Sequence, residues 1–415
     1  NTRKRGAAVL VPIDVDQQMC YNDLILFLED CAMHRVLFTA STYSHIVNFH
    51  RPYLQEFKRR GWGVDVGCGG RPMEIPEADR VIHIPFEKKM TSSQNVRATR
   101  LLRGLIRANR YTLVSCHTAL ASFFTRAAIL GLRRRPAVAC TVHGYLFGEH
   151  STPKEELLLG TAERLTAPVT DLLMTMNHWD TAYAKAHRYG RRIIEIPGMG
   201  VDPSHLPQVS LQEAAFFRTQ LGFRQDQFLL LFGAEFSPRK NQAELLRALS
   251  FLPEQVGLLL PGDGALRDTC IQLARTLGVE QRVAFPGHVD DMPLWYAMAD
   301  CVVSPSQSEG LPFHLMEAMY YGLPIVASDI KGHADLLGSS HAGLLFSPHR
   351  MAEGCAAQVQ RLLAEPGLAR RLGQAGQEAI TPYTLPQVLP QIMELYHQVV
   401  PLDEPEKVYS LEQIS

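Results

Sequence analysis

Ser304-Pro-Ser-Gln-Ser-Glu-Gly-Leu-Pro-Phe-His-Leu-Met-Glu-Ala-Met-Tyr-Tyr-Gly-Leu-Pro-Ile-Val-Ala-Ser-Asp329 reads as the end of a strand, a loop, a helix and a second strand. Apolar residues run continuously over Cys301–Ser304 and Ile325–Ala327 and recur at helical spacing over Leu311–Tyr321, the pattern of a parallel strand–helix–strand unit. Glu309 and Glu317 are eight residues apart. With Glu309 at the helix start, Glu317 follows about two turns later on the same side. The free N–H groups of Gly310, Leu311 and Phe313 make an anion site that the helix dipole reinforces, and Pro312, which has no N–H, suits the first turn. A pyrophosphate fits there, with a carboxylate on either side for sugar hydroxyls. Either glutamate alone reads more simply as a helix cap or a solvated side chain. The whole string does not.

The same rhythm extends both ways. Upstream, strands are expected at Val36–Ala40, Val64–Cys68, Val81–Ile84, Leu113–Cys116, Val138–Val142, Leu172–Met176 and Ile193–Ile196, with helices such as Phe49–Arg60, Val96–Asn109 and Leu120–Leu132 between them. After Pro197–Pro207, a linker rich in proline and glycine, strands resume at Phe228–Phe232, Val256–Leu260, Val283–Phe285, Cys301–Ser304, Ile325–Ala327 and Leu344–Phe346. Continuous apolar runs alternating with helices imply parallel sheets covered on both faces. The expected fold class is α/β, two doubly wound Rossmann-like domains facing across a cleft, where open sheets of this kind bind ligands. Residues 1–34 read as an extension outside this fold, with an amphipathic helix available over Asp16–Met33. Residues 35–200 form the first domain and 201–385 the second. A helix over 386–400 is placed to cross back to the first domain, and 401–415 is a polar tail.

Composition narrows the class. The chain has 415 residues, 46% apolar and 20% charged, with a formal net charge of −1, which suits a globular protein of two or three domains and argues against a polybasic nucleic-acid binder. No run of eighteen apolar residues is present, so no transmembrane helix is expected. The eight cysteines are scattered without a CxxC pair, which reads as buried thiols in a cytoplasmic protein.

Three further loops follow strands of the second domain. Ala234-Glu-Phe-Ser-Pro-Arg-Lys-Asn-Gln242 places Arg239 and Lys240 at a helix start, where cations oppose the dipole unless an anion such as a diphosphate compensates. Two solvated basic residues are the commoner fate of such a pair, but its position beside the Glu309 loop favours the diphosphate. Gly262, in Pro261-Gly-Asp-Gly, permits close backbone approach, though that motif alone is often only a turn. His288 and Val289, in Phe285-Pro-Gly-His-Val-Asp-Asp, stand where a loop presents backbone groups to a base, and a plain turn is about equally expected there.

Residues 228–347 resemble the donor domain of family 4 retaining glycosyltransferases of the GT-B fold, whose signature is an E-x7-E pair, here Glu309 and Glu317, and a lysine after the first strand of the second domain, here Lys240. Ser44-His-Ile-Val-Asn-Phe-His-Arg-Pro-Tyr-Leu54, Thr141-Val-His-Gly-Tyr-Leu-Phe147 and Ser328-Asp-Ile-Lys-Gly-His-Ala-Asp-Leu336 resemble the bacterial capsular and exopolysaccharide branch. The resemblance covers roughly residues 35–400. It implies that Lys240, with Arg239 beside it, binds the donor diphosphate. Glu317 would hold the ribose and Glu309 the transferred sugar, with the amides of Gly310 to Phe313 on the phosphates. His143 would stand near the reacting sugar, and His45 and Asn48 in the loop after the first strand on the acceptor side. One position departs from the pattern: many relatives have an arginine five residues before the lysine, where this chain has Glu235. Arg239 must then compensate, or the leaving group is less well stabilised. The implied reaction moves a sugar from a nucleotide-sugar, a UDP-sugar by family habit, to a glycan or lipid-diphosphate-linked acceptor. No cofactor or metal is implied. The rival readings are a sugar-nucleotide epimerase or hydrolase, with Asp65, Glu74, Glu77 or Asp79 as acid and base, and a non-catalytic binding protein.

Between Lys88 and Gly148 there is no acidic residue but there are eleven basic ones. Arg100, Arg103, Arg107 and Arg110 interleave with leucines at helical spacing, an amphipathic basic helix. The leucines are more simply core, but the charge excess over 88–135 suits contact with an anionic membrane, at the inner face of the cell membrane. No recognised nucleic-acid module accompanies it. Sixteen histidines include no HxH or HExxH, and His45 and His50, five apart, fall off one helical face. No metal site is expected from these spacings.

Overall fold

Continuous apolar runs bury both faces of a strand, and here they make two parallel sheets. A computed structural model describes residues 34–402 apart from 88, 146 and 148–150. The expected helix over Asp16–Met33 and the tail from 403 lie outside the described residues. In the first half the strands are β1 (Arg35–Ala40), β2 (Gly63–Cys68), β3 (Arg80–His83), β4 (Leu113–His117), β5 (Ala137–Val142), β6 (Leu172–Thr175) and β7 (Arg192–Glu195). They form one sheet in the order β3-β2-β1-β4-β5-β6-β7. In the second half β8 (Phe228–Leu231), β9 (Val256–Pro261), β10 (Val283–Gly287), β11 (Cys301–Ser304), β12 (Ile325–Ser328) and β13 (Gly343–Phe346) form another, in the order β10-β9-β8-β11-β12-β13. Every strand expected from the sequence is present within a residue or two. Each sheet reverses its order at one place, between β1 and β4 and between β8 and β11. Side chains from the loops that follow these strands open into a shared crevice.

Several helices depart from expectation. Ser44–Asn48, expected as loop, lies in a helix, Tyr43–Phe49, capped by the Thr42 hydroxyl. A second helix, Arg51–Arg59, starts after a break at His50. The helix expected to contain Glu309 starts at Phe313 with Pro312 as its cap, so Glu309 belongs to the preceding loop and Pro312 is not in the first turn. Arg239 and Lys240 likewise precede their helix, Gln242–Ser250. The helices Leu211–Gln220 and Lys331–Ser340 had no expectation. Gly332 and Gly338 lower helix propensity in the latter.

The last helix, Leu385–His397, leaves the second sheet for the first. Its Tyr396 hydroxyl lies 2.7 Å from Ser115 Oγ of β4, its ring packs edge-on against Phe57, and Arg60 donates to the Leu402 carbonyl at 3.0 Å. The two crossings of the chain meet at a bridge between Val201 and Thr384. Gly200 is required there: its φ is +83°, and a Cβ would stand 2.6 Å from Leu385 Cα.

Candidate functional site

The loops after β8 and β11 bring their charges together. Lys240 Nζ donates to Glu309 Oε1 at 2.6 Å, and Arg239 Nη1 donates to Glu309 Oε2 at 2.9 Å and to the Ser308 carbonyl at 3.0 Å. Burial resists ionising Glu309, but the two cations outweigh it and hold its carboxyl at about 2. The cluster therefore carries one net positive charge at a cavity wall. Glu317 behaves in the opposite way. It sits half-buried in the helix Phe313–Tyr320, accepts from Tyr296 Oη at 2.6 Å, and the burial of its carboxyl raises its pKa. Glu309 is thus not a helix cap, and Glu317 is not solvated.

The facing wall is neutral. Helix Tyr43–Phe49 and the end of β5 present His45 and His143, with Nε2 atoms 3.2 Å apart. Burial lowers His45 to about 4 and His143 well below the usual histidine range. Backbone contact closes the gap between walls. A Cβ on Gly144 would meet Gly310 Cα at 2.7 Å, and one on Gly310 would meet the His143 carbonyl at 2.1 Å. Asn177 Nδ2 donates to the Gly310 carbonyl at 3.1 Å. Lys331, from the second domain, donates to buried Asp180 of the first at 2.6 Å and stands over the Trp179 ring.

A cavity of about 610 Å³ lies between the walls. It is lined by His45, His143, Arg239, Lys240, Glu309, Gly310, Leu311 and Phe313 together. The other expected residues are elsewhere. Glu317 does not line it, and Asn48 is exposed on its helix. Gly262, His288 and Val289 lie at the ends of β9 and β10, outside the cavity, where His288 N–H donates to Asp263. Glu235 is exposed and does not line the cavity.

Sequence reasoning missed three participants. Thr118 lines the cavity with a positive φ of 65°, and its Oγ1 lies 2.6 Å from Ser41 Oγ across the β1–β4 reversal. Strained backbone of this kind costs about 1–3 kcal/mol and collects at functional sites. Arg126 and Glu163 form a bidentate pair deep on the same wall, at 2.8 and 3.0 Å. Arg126 is therefore not part of a basic surface, as its place in the 88–135 stretch suggested. Arg103 is turned to the Ala128 and Leu130 carbonyls and Arg135 to Asp171. Arg107, Arg110, Arg133 and Arg134 remain exposed and border one depression. Lys88 lies outside the described residues.

The carboxylates that an epimerase or hydrolase would need are engaged away from the cavity. Asp65 is buried between Arg35, Arg80 and Tyr111, Glu77 pairs with Arg51, and Asp79 with Lys58. Glu74 is exposed. Among the described residues no helix is long and apolar enough to cross a membrane, and the six described cysteines are free and buried.

The chain, with its two parallel sheets, matches known proteins. The family model described as "Glycosyl transferases group 1" matches residues 213–379, and that described as "Glycosyltransferase Family 4" matches residues 53–205. EpsD of Bacillus subtilis (strain 168), named as a glycosyltransferase, is 32% identical over 378 residues, which are 90% of this chain and 99% of EpsD. The Escherichia coli UDP-Gal:alpha-D-GlcNAc-diphosphoundecaprenol alpha-1,3-galactosyltransferase is 25% identical over 59% of this chain and 65% of its own length. Among solved structures, Anabaena HepE in complex with UDP and glucose superposes with a TM-score of 0.72 at 20% identity, over 87% of this chain and 98% of its own. The chain belongs to the family 4, group 1 glycosyltransferases and has the GT-B fold.

Proposed function

We propose that this glycosyltransferase moves a sugar from a UDP-sugar to a glycan or lipid-diphosphate-linked acceptor in bacterial surface polysaccharide synthesis, with retention of anomeric configuration. The observation that carries the reading is the cluster of Arg239, Lys240 and Glu309 facing His143 across the cavity. Departure of the nucleoside diphosphate builds negative charge on the β-phosphate. Lys240 supplies a point charge and Arg239 a fork, and the amides of Gly310, Leu311 and Phe313 sit beside them. The diphosphate would take these cations from Glu309, which frees that carboxylate for the hydroxyls of the transferred sugar. Glu317, held by Tyr296, would reach the ribose. His143 would donate or accept a hydrogen bond at the sugar as a neutral ring. The acceptor hydroxyl would attack on the leaving-group side and pass its proton to the departing phosphate, which is the route to retention without a covalent intermediate. Walls that meet at Gly144 and Gly310 would exclude water and suppress donor hydrolysis.

The Escherichia coli galactosyltransferase, whose name specifies a diphosphoundecaprenol acceptor, and HepE with its UDP support this choice of partners. Exposed Arg107, Arg110, Arg133 and Arg134 would meet the anionic inner face of the membrane where a lipid-linked acceptor resides. The test is a thermal-shift panel with UDP, GDP, ADP and CMP. A ligand at about one hundred times its Kd adds about 2.7 kcal/mol. Selective stabilisation by UDP, lost in Lys240→Ala, is the expected result. No shift with any nucleotide would overturn the reading, and a preference for GDP or ADP would replace the donor.

A further inference from the structure

Helix Lys331–Ser340 begins between the two walls. On the donor side its Gly332 lies against the loop that carries Glu309: a Cβ there would stand 2.6 Å from the carbonyl oxygens of both Glu309 and Gly310. His333, the next residue, is wholly buried and ties the helix start to the ends of β11 and β12, with Nε2 3.3 Å from Ser304 Oγ and Nδ1 2.8 Å from the Ser328 carbonyl oxygen. On the other side Lys331 Nζ donates to Asp180 Oδ1 at 2.6 Å and to the carbonyls of Tyr145 and Phe147 at 3.2 and 3.4 Å, which uses all three protons of an ammonium. The second Asp180 oxygen accepts from the Tyr145 N–H at 3.1 Å and from Asn177 Nδ2 at 2.8 Å. Tyr145 is thus held through both of its backbone groups, two residues after His143. Lys331 does not line the cavity, and no step of the proposed transfer uses it.

We propose that Lys331 is a positioning residue: it sets His143 against Glu309 by joining the backbone of the donor loop to the backbone that follows His143. The inference rests on the UDP-sugar reading for what the walls bind. Gly332 leaves the Glu309–Gly310 loop no room to shift alone, so the helix start moves with it. Lys331 then carries the displacement to Tyr145 and Phe147. Asn177 fixes the same relation independently, since it holds the Gly310 carbonyl and Asp180 together. An ion pair alone would hold the domains loosely in angle, whereas bonds to two carbonyls set direction as well. A neutral side chain at 331 frees both carbonyls and leaves buried Asp180 without its cation. Misplacing a reacting group by about 1 Å can cost about 10²-fold in rate. A diphosphate on Arg239 and Lys240 draws on their partner Glu309, and through Lys331 the restraint on that loop reaches 143–147.

The test is hydrogen–deuterium exchange of the full chain and of its Lys331→Met and Lys331→Arg variants, read over 141–147 with and without UDP, alongside UDP affinity. Without nucleotide, Lys331→Met should speed exchange over this segment about tenfold, and Lys331→Arg, which keeps the cation, should restore it. With UDP, the unaltered protein should gain protection over 141–147. Lys331→Met should bind UDP within about twofold of the same Kd yet gain no protection. A merely structural loss would lower affinity and protection together. Unchanged exchange over 141–147, or UDP binding weakened in step with it, would overturn the proposal. If Lys331→Met fails to fold by circular dichroism, Asp180→Asn gives the same comparison. If the unaltered protein binds no UDP, the donor reading fails, and the exchange measured without nucleotide still decides the role of Lys331.

Discussion

The two walls of the cavity solve opposite electrostatic problems. The second domain gathers three charged side chains, Arg239, Lys240 and Glu309, within hydrogen-bonding distance. The first domain gathers histidines and keeps them neutral by burial. A wall of fixed charges suits a leaving group that gains charge as a bond breaks. The neutral rings offer hydrogen bonds with directionality, and the ion pair on their wall, Arg126 with Glu163, is closed on itself. The contrast teaches that one fold, used twice, has been given two chemistries by the segments that follow its strands.

That division depends on the walls staying in register, and the joint is Lys331 on Asp180. Removing one partner of a buried pair leaves an uncompensated charge. Lys331→Ala should cost about 3–5 kcal/mol by urea denaturation. A loss under 1 kcal/mol would mean that the walls are held by other contacts. Next in size is Lys240→Ala, which should lower the transfer rate about 10²–10³-fold, the usual effect of removing one group that stabilises developing negative charge. An unchanged rate in both this variant and Glu317→Ala would remove the leaving-group role from the charged wall.

The Glu309 pKa sharpens the comparison by pH. Its folded value, about 2, lies below the ordinary 4.5, so its stabilising contribution is complete above about 4.5 and is lost as pH falls from there toward 2. Melting temperature should fall over that window, and Glu309→Gln should flatten that part of the curve. An identical slope in the variant would show that the cations do not govern this carboxyl. The smallest effect belongs to the outer surface. Arg107→Gln should weaken sedimentation with anionic vesicles about fivefold, from about 1 kcal/mol per basic residue near the surface. No change would remove Arg107 from the membrane contact.

The strands were legible because Val36–Ala40, Leu229–Leu231 and their like are continuous apolar runs that fit only a doubly covered sheet. Glu309, Lys240 and the Gly310 amides were legible because the chemistry sits in one strand-to-helix loop and its neighbour. Long-range partners were not. Nothing local announces that Tyr296 will hold Glu317, that Glu163 will neutralise Arg126, or that Lys331 will reach Asp180 across the domains. The helix Tyr43–Phe49 was hidden because its seven residues are too few for a helical period to show. Gly262, His288 and Val289 were placed correctly at strand ends, but they do not line the cavity between the walls.

The return of Leu385–His397 to the first sheet has a consequence for synthesis. Phe57 and Ser115 receive Tyr396, so the half of the chain made first lacks part of its packing until Tyr396 is joined. At about 5–20 residues per second, the interval between Ser115 and Tyr396 leaving the ribosome is roughly 14–56 s. During that time Phe57 and Ser115 of the nascent first domain stand without their Tyr396 partner. A ribosome stalled before Tyr396 would hold a product whose defect, at Phe57 and Ser115, lies far from the missing codons.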